Sequence, residues 1–308
     1  MAIHVVPTQF PTVQAAINDA GTMPGDSIQI LAGTFDGFEV TTENLKIFGC
    51  GIDKTIIAGT PGTIDGGIVV SADNTTLQGF TVQGFSTNGI SVQSTHNILK
   101  EIESTLNTGV VTDGIQFDVG GNNNLLINCT FSFNEEDGVD TSDGERNCII
   151  NCLSFENRDK GYQVSSMNNK LVNNIARENL SDGMFVNANN NTLYGNKLLK
   201  NDVRGILIGI GDSNNNVIEN LVCNNNLSGI GINNMANQNV IDMNIVRNNG
   251  ISGLGSGIFV DNGAVDNSIR FNKLKNNIPF DIQALGAVIN NTYDGNKCES
   301  SFPPNLCT

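Results

Sequence analysis

A dipeptide, glycine followed by a bulky apolar residue, recurs through most of this chain at a nearly constant step. It appears as Gly67-Ile68, Gly89-Ile90, Gly114-Ile115, Gly138-Val139, Gly161-Tyr162, Gly183-Met184, Gly205-Ile206, Gly229-Ile230 and Gly257-Ile258. Successive glycines lie 22, 25, 24, 23, 22, 22, 24 and 28 residues apart. A second mark keeps the same register: an Asn, apolar residues, then often another Asn, as in Asn124-Leu-Leu-Ile-Asn128, Asn147-Cys-Ile-Ile-Asn151 and Asn169-Lys-Leu-Val-Asn173. Two marks in one register define a repeat protein, whose units bury their apolar faces against their neighbours.

Each unit holds two or three apolar runs of three to five residues, separated by Asn, Gly, Ser and Asp. Such runs read as short strands joined by tight turns. Outside the N-terminus no run shows a sustained 3.6-residue period, which disfavours helical repeats. Three short strands per unit of this length make one turn of a parallel β-helix, strand lying on strand at about 4.8 Å. The count gives an all-β, single-stranded parallel β-helix of about 10–12 coils. Asn stacked at one turn position can form an amide ladder from coil to coil, and Asn tolerates the left-handed backbone of such turns. The repeat glycines are expected to mark bends of the same kind.

The chain reads as one domain over 1–308: an N-terminal cap at 1–25, coils at 26–290 and a tail cap at 291–308. Residues 11–21 predict a capping helix with Val13, Ala16, Ile17 and Ala20 on one face, closed by Gly21. Cys298 and Cys307 bracket a Pro-rich tail and suit a disulfide that pins it. Cys129 and Cys152 share a column one turn apart, as a buried free pair or a bond. No apolar run is long enough to span a membrane, and Met1-Ala-Ile-His-Val-Val does not read as a signal peptide. The formal net charge of −15 argues against nucleic acid and anionic membranes as partners. A polyanionic substrate would need a cation bridge or a local basic patch.

The stretch Phe10-Pro-Thr-Val-Gln-Ala-Ala-Ile17, with Pro24-Gly-Asp-Ser-Ile28, Ala32-Gly-Thr-Phe35 and Phe48-Gly-Cys-Gly-Ile-Asp-Lys-Thr-Ile-Ile57, resembles the opening coils of pectate-lyase-like right-handed β-helix proteins. With the Asn/Gly repeat, that resemblance covers nearly the whole chain. It implies a right-handed solenoid. The fold hosts lyases, hydrolases, epimerases, phage spikes and adhesins, so function has to be read from the site.

The residue after each repeat glycine is expected to point inward, and the second and fourth residues outward. The outward columns then read Ser91, Gln116, Asp140, Gln163, Phe185 and Gln93, Asp118, Ser142, Ser165, Asn187. The residue before the glycine runs Asn88, Asp113, Asp137, Lys160, Asp182, Arg204. Stacked carboxylates at about 5 Å in an effective dielectric near 20 repel by roughly 3 kcal/mol per pair, which protonation, a neighbouring cation or a bound metal would relieve. An oxygen-only ligand set suits Ca²⁺. Asp182 and Asp53 read as turn residues, Tyr162 as core, and His4 and His96 as surface or turn positions.

Glu136-Asp137-Gly138-Val139-Asp140 resembles the Asp-Asp-Gly-apolar-Asp calcium motif of β-helix pectate lyases, whose base is a lysine one coil further on. The resemblance implies Glu136, Asp137 and Asp140 as Ca²⁺ ligands, joined by Asp113 and Asp118. The family's lysine falls where this chain has Gln163; Lys160, three residues earlier, is the substitute base. Arg158 and Arg204 are lesser candidates for it and would hold a uronate carboxylate, while Gln116, Gln163 and Phe185 line the face as substrate contacts. The function expected is action on an acidic polysaccharide, by Ca²⁺-assisted β-elimination or C5 epimerisation, outside the cell or at its surface. The alternative is a non-catalytic surface or spike protein that binds glycans or oligomerises along its length. A groove walled by loops around 105–112 would favour the first.

Overall fold

The computed structural model describes residues 1–59, 66–286 and 290–307; the parts of the expected coil and tail ranges at 60–65, 287–289 and 308 lie outside them. The chain divides into two compact units, Met1–Leu153 and Ser154–Thr308.

In the first unit, the strands Phe38–Val40, Ile68–Val70, Ile90–Val92, Ile115–Phe117 and Val139–Asp140 stack in parallel. Their register places Ile68, Ile90, Ile115 and Val139 in one column. A second set of parallel strands includes Ser27–Ile30, Lys46–Phe48, Thr76–Gln83, Ile98–Thr105, Leu125–Ile127 and Cys148–Ile150. The second unit repeats the pattern, its glycine strands running Tyr162–Val164, Met184–Val186, Ile206–Ile208, Ile230–Ile232, Ile258–Val260 and Ile282–Ala284. Strands of this class recur twelve times among the described residues, so the chain is an all-β parallel solenoid of about twelve turns. No helix of the described residues is long and apolar enough to cross a membrane.

The inward column is as expected: Ile68, Ile90, Ile115, Val139, Tyr162, Met184, Ile206, Ile230 and Ile258 are all fully buried. The asparagines form the ladders that the repeat implies. In the second unit each amide hands a hydrogen bond to the next, from Asn157 to Asn179, Asn201, Asn225, Asn249 and Asn277, at 2.9–3.1 Å. A second ladder joins Asn196, Asn220, Asn244, Asn272 and Asn296 at 3.0 Å. Each ladder oxygen also accepts a backbone N–H of the preceding turn, as Asn201 Oδ1 does from Asn179 at 3.2 Å. These contacts satisfy backbone groups that a bend would otherwise bury unpaired.

The left-handed residue sits one position before the ladder: Asn168, Asn190, Asn214, Asn224, Asn248 and Asn276 have φ between 55° and 65°. Glu178, Lys200 and Glu219 occupy the same place with φ of 55–57°, so the position is not reserved for Asn. The repeat glycines have a different reason from the one expected. None of them takes a positive φ among the described bends; they are needed for space. A Cβ on Gly205 would lie 2.7 Å from the carbonyl oxygen of Gly229 and 2.2 Å from Val222 Cγ1. Turns approach too closely there for any side chain.

The N-terminal cap is smaller than the sequence suggests. The helix covers Val13–Ile17, with the Thr12 hydroxyl accepting the Ala15 N–H at 3.0 Å and Asn18 as its C-cap. Val13, Ala16 and Ile17 are buried, but Ala20 is exposed and Gly21 lies beyond the helix. His4 is also not a surface residue: it is buried on the strand Ile3–Val6, 3.4 Å from Asp26 and with Phe10 at a ring distance of 5.5 Å. His96 is an exposed turn residue with φ of 60°. At the other end, Cys298 and Cys307 form the expected disulfide. Cys129 and Cys152 are a buried pair of free thiols, and burial, then the neighbouring Cys152, pushes the Cys129 thiol up.

Candidate functional site

The expected site residues fall into different compact units. Asp113, Gln116, Asp118, Glu136, Asp137 and Asp140 belong to the first; Arg158, Lys160, Gln163, Phe185 and Arg204 belong to the second.

On the first unit's outward face, Ser91, Gln116 and Asp140 stand in register on successive strands. Their side chains form a network. Gln116 Oε1 accepts from the Asn88 amide at 2.5 Å, and its own amide reaches Asp140 Oδ2 at 3.5 Å. Asp140 Oδ2 also accepts the Ser142 hydroxyl, and Asp118 Oδ2 accepts the Ser91 hydroxyl. Asp140 is buried, whereas Gln116, Asp118 and Glu136 are half-buried. In the segment 105–112, whose loops would favour the enzyme reading if they walled a groove, Leu106, Val110 and Val111 are exposed.

The column before the glycine proves to be a fastening. Asn88 Oδ1 accepts the Asp113 N–H at 2.8 Å, and Asp113 Oδ1 accepts the Asp137 N–H at 2.9 Å. Asp182 Oδ1 does the same for the Arg204 N–H at 2.8 Å in the second unit. Asp113 and Asp137 are buried. Burial, then the charges of Asp137 and Asp140, pushes Asp113 up to about 9, against the pull of the Asp137 N–H. That shift favours the protonated form of Asp113, which is one way to relieve the like-charge cost expected from stacking. Among the described residues, no three His, Cys, Asp or Glu side chains are grouped so as to hold a metal ion. The carboxylates put forward for Ca²⁺ include oxygens already engaged by Ser91, Ser142 and the Asp137 N–H.

In the second unit, Lys160 Nζ lies 2.5 Å from Asp159 Oδ2 and 6.0 Å from the centre of the Phe185 ring. An ammonium held by a carboxylate is arranged as a cation more than as a base. Arg158 is exposed, and Gln163 is half-buried in register with Phe185. Tyr162 is core, its hydroxyl donating to the Ile175 carbonyl at 3.4 Å. Arg204 Nη1 meets Asp182 Oδ2 at 3.5 Å. Asp182 is not merely a turn residue: it is buried, and burial raises its carboxyl despite Arg204 and Lys160, which pull it down.

The outward column here runs Gln163, Phe185, Leu207, Gly231, Phe259, Gln283. The gap that Gly231 leaves in it is filled by its neighbours, Leu207 Cδ1 and Arg204 Cδ lying 3.0 and 3.3 Å from where a Cβ would be. Beside the gap is a cavity of about 220 Å³ lined by Arg204, Leu227, Ser228, Leu254 and Phe259. Sequence reasoning reached Arg204 but not Leu254 or the Gly231 gap. The available signal was the 28-residue step from Gly229 to Gly257, the longest in the series.

No curated protein matches the chain in sequence. Among solved structures, the A-module of the Azotobacter vinelandii mannuronan C-5 epimerase AlgE6 aligns with a TM-score of 0.77 and 16% identity, over 95% of each chain. The PL6 family polysaccharide lyase Pedsa3628 from Pseudopedobacter saltans aligns with a TM-score of 0.66 and 13% identity, over 91% of this chain and 89% of the lyase. The Dettilon tailspike protein aligns with a TM-score of 0.68 and 14% identity, over 90% of this chain and 61% of the tailspike. At such identities these likenesses bear on the fold alone. The right-handed beta helix region family matches residues 66–222, just over half of the sequence. On that match and the stacked parallel turns, the chain belongs to the right-handed β-helix family.

Proposed function

We propose that this protein acts on an acidic polysaccharide along the outward face of its glycine strands, by β-elimination or C5 epimerisation. The observation that carries the reading is the second unit's face, where half-buried Phe185 and Phe259 stand in one column with Lys160 and Arg204 beside them. Aromatic faces support sugar rings, and a guanidinium takes a carboxylate in a two-pronged contact. In a chain of net charge −15 this is the local basic patch that a polyanionic substrate requires. Fold likeness to an epimerase module and a polysaccharide lyase supports the choice of class.

Both reactions begin with loss of the proton α to a uronate carboxylate. Arg204, with Arg158 at the edge, would neutralise that carboxylate. Lys160 is the proposed acceptor and would have to give up Asp159 to act. Asp113, Asp118, Glu136, Asp137 and Asp140 are the residues that would hold Ca²⁺, and a bound cation would help to neutralise substrate carboxylates. Chelator sensitivity tests the Ca²⁺ hypothesis separately. The Cys298–Cys307 disulfide supports placement outside the cell or at its surface.

The test is absorbance of unsaturated uronate product from polygalacturonate and alginate, with Ca²⁺ and with chelator, alongside Lys160→Gln. Product that Lys160→Gln abolishes supports elimination with Lys160 as acceptor; product that persists in that variant removes Lys160 from the role. Internal pairing of Asp118 and Asp140 with Ser91 and Ser142 favours a second reading, a non-catalytic glycan-binding or surface protein. Polymer binding without elimination or epimerisation would select it.

A further inference from the structure

Resting on the acidic-polysaccharide reading, we infer that the cavity between Arg204 and the Gly250–Gly255 insertion is a subsite for one carboxylate-bearing sugar residue. Its lining is Arg204, Leu227, Ser228, Leu254 and Phe259, which sets a guanidinium and a hydroxyl beside an aromatic and two aliphatic side chains. At about 220 Å³ it lies below the roughly 300 Å³ lower bound for drug-sized ligands, which fits a single ring.

The insertion is built in place. Gly250 N–H donates to Leu227 O at 2.7 Å, Ser252 N–H and hydroxyl both reach Asn226 O at 3.0 and 2.9 Å, and Gly253 N–H closes on Gly250 O at 2.7 Å. Gly250 and Gly253 both have φ of 79°, a conformation open to glycine at no steric cost. Held this way, the loop leaves Leu254 83% exposed at the cavity. Such a side chain contributes nothing to the core and gains apolar cover from a ligand.

The charge comes from Arg204. Its side chain is 31% exposed and engages Asp182 through a long 3.5 Å contact, which leaves most of its five N–H donors for another acceptor. The larger cavity at Ile251 of the same insertion, about 630 Å³, offers less, because its Lys200 is already 3.3 Å from Glu178.

The test titrates the full chain with galacturonate and mannuronate trisaccharides and with a neutral galactose trisaccharide, by calorimetry. At least one acidic sugar should bind at least about tenfold more tightly than the neutral one, and Arg204→Gln should erase that preference. Leu254→Ser, at an exposed position that cannot threaten the fold, should weaken the acidic sugar several-fold, as should Phe259→Ala. Acidic-sugar binding that is indifferent to all three substitutions overturns the subsite and leaves the proposed function standing. So does product formation from a polyuronate by a protein that binds none of the trisaccharides. Equal binding of acidic and neutral sugars overturns the role of Arg204.

Discussion

Asp113 shows what a single repeat position can be made to do. It sits where Asn88 sits one turn earlier, and both accept the next turn's N–H. The column was legible as stacked, mostly acidic positions before the repeat glycine; its role as a backbone fastening was not, because that depends on burial. The carboxyl value of about 9 lies above its ordinary 3.8, so the folded state holds the proton more tightly. That contribution to stability is full below about pH 3.8 and is lost as pH rises towards about 9. Asp113→Asn keeps the acceptor and removes the titration. Its melting temperature should therefore exceed the wild type's by a margin that grows between pH 4 and pH 9, read by thermal denaturation across that range. A variant less stable at every pH would show that the proton on Asp113 is not what the fold tolerates. His4 is the opposite lesson: a lone histidine between Ile3 and Val5 gave no sign that Asp26 and Phe10 would enclose it.

At the scale of the turn, the ladders and glycines carry the fold. Asn201 accepts from Asn179 and donates to the Ala176 carbonyl at 3.2 Å and to Asn225 at 3.0 Å. Asn201→Ala strands those groups in the interior, and the expected loss is about 2–4 kcal/mol in urea unfolding, since each buried unsatisfied partner costs about 1–3 kcal/mol. A loss under about 1 kcal/mol would mean that water enters the bend and replaces the amide. Gly205→Ala should cost about 1–3 kcal/mol or more, as overpacking does, because backbone of the neighbouring turn blocks the new methyl. A neutral outcome would show that the turns can separate. Periodicity exposed the strands and the Asn ladder, since both repeat. It overextended the N-terminal helix, whose end at Ile17 is set by a local cap and not by a repeat.

For the molecule as a whole, repeat spacing pointed to a parallel β-helix of 10–12 coils, against about twelve turns observed, and the opening motifs together with the repeat carried the resemblance to the right-handed family. The site was readable only in part. Arg204, Lys160 and Phe185 stood out as column members. The Gly231 gap and Leu254 required knowing how an irregular 28-residue step folds back on its neighbours. Among the described residues the carboxylates put forward for Ca²⁺ form no group of three, and Ser91, Ser142 and a backbone N–H each hydrogen-bond to one of their oxygens. Action on a polyuronate is tested by proton NMR of alginate and polygalacturonate incubated with the full chain. New olefinic signals from elimination, or a changed ratio of the two C5 epimers, are expected. Unchanged spectra for every polyuronate, from protein shown to be folded, would contradict it.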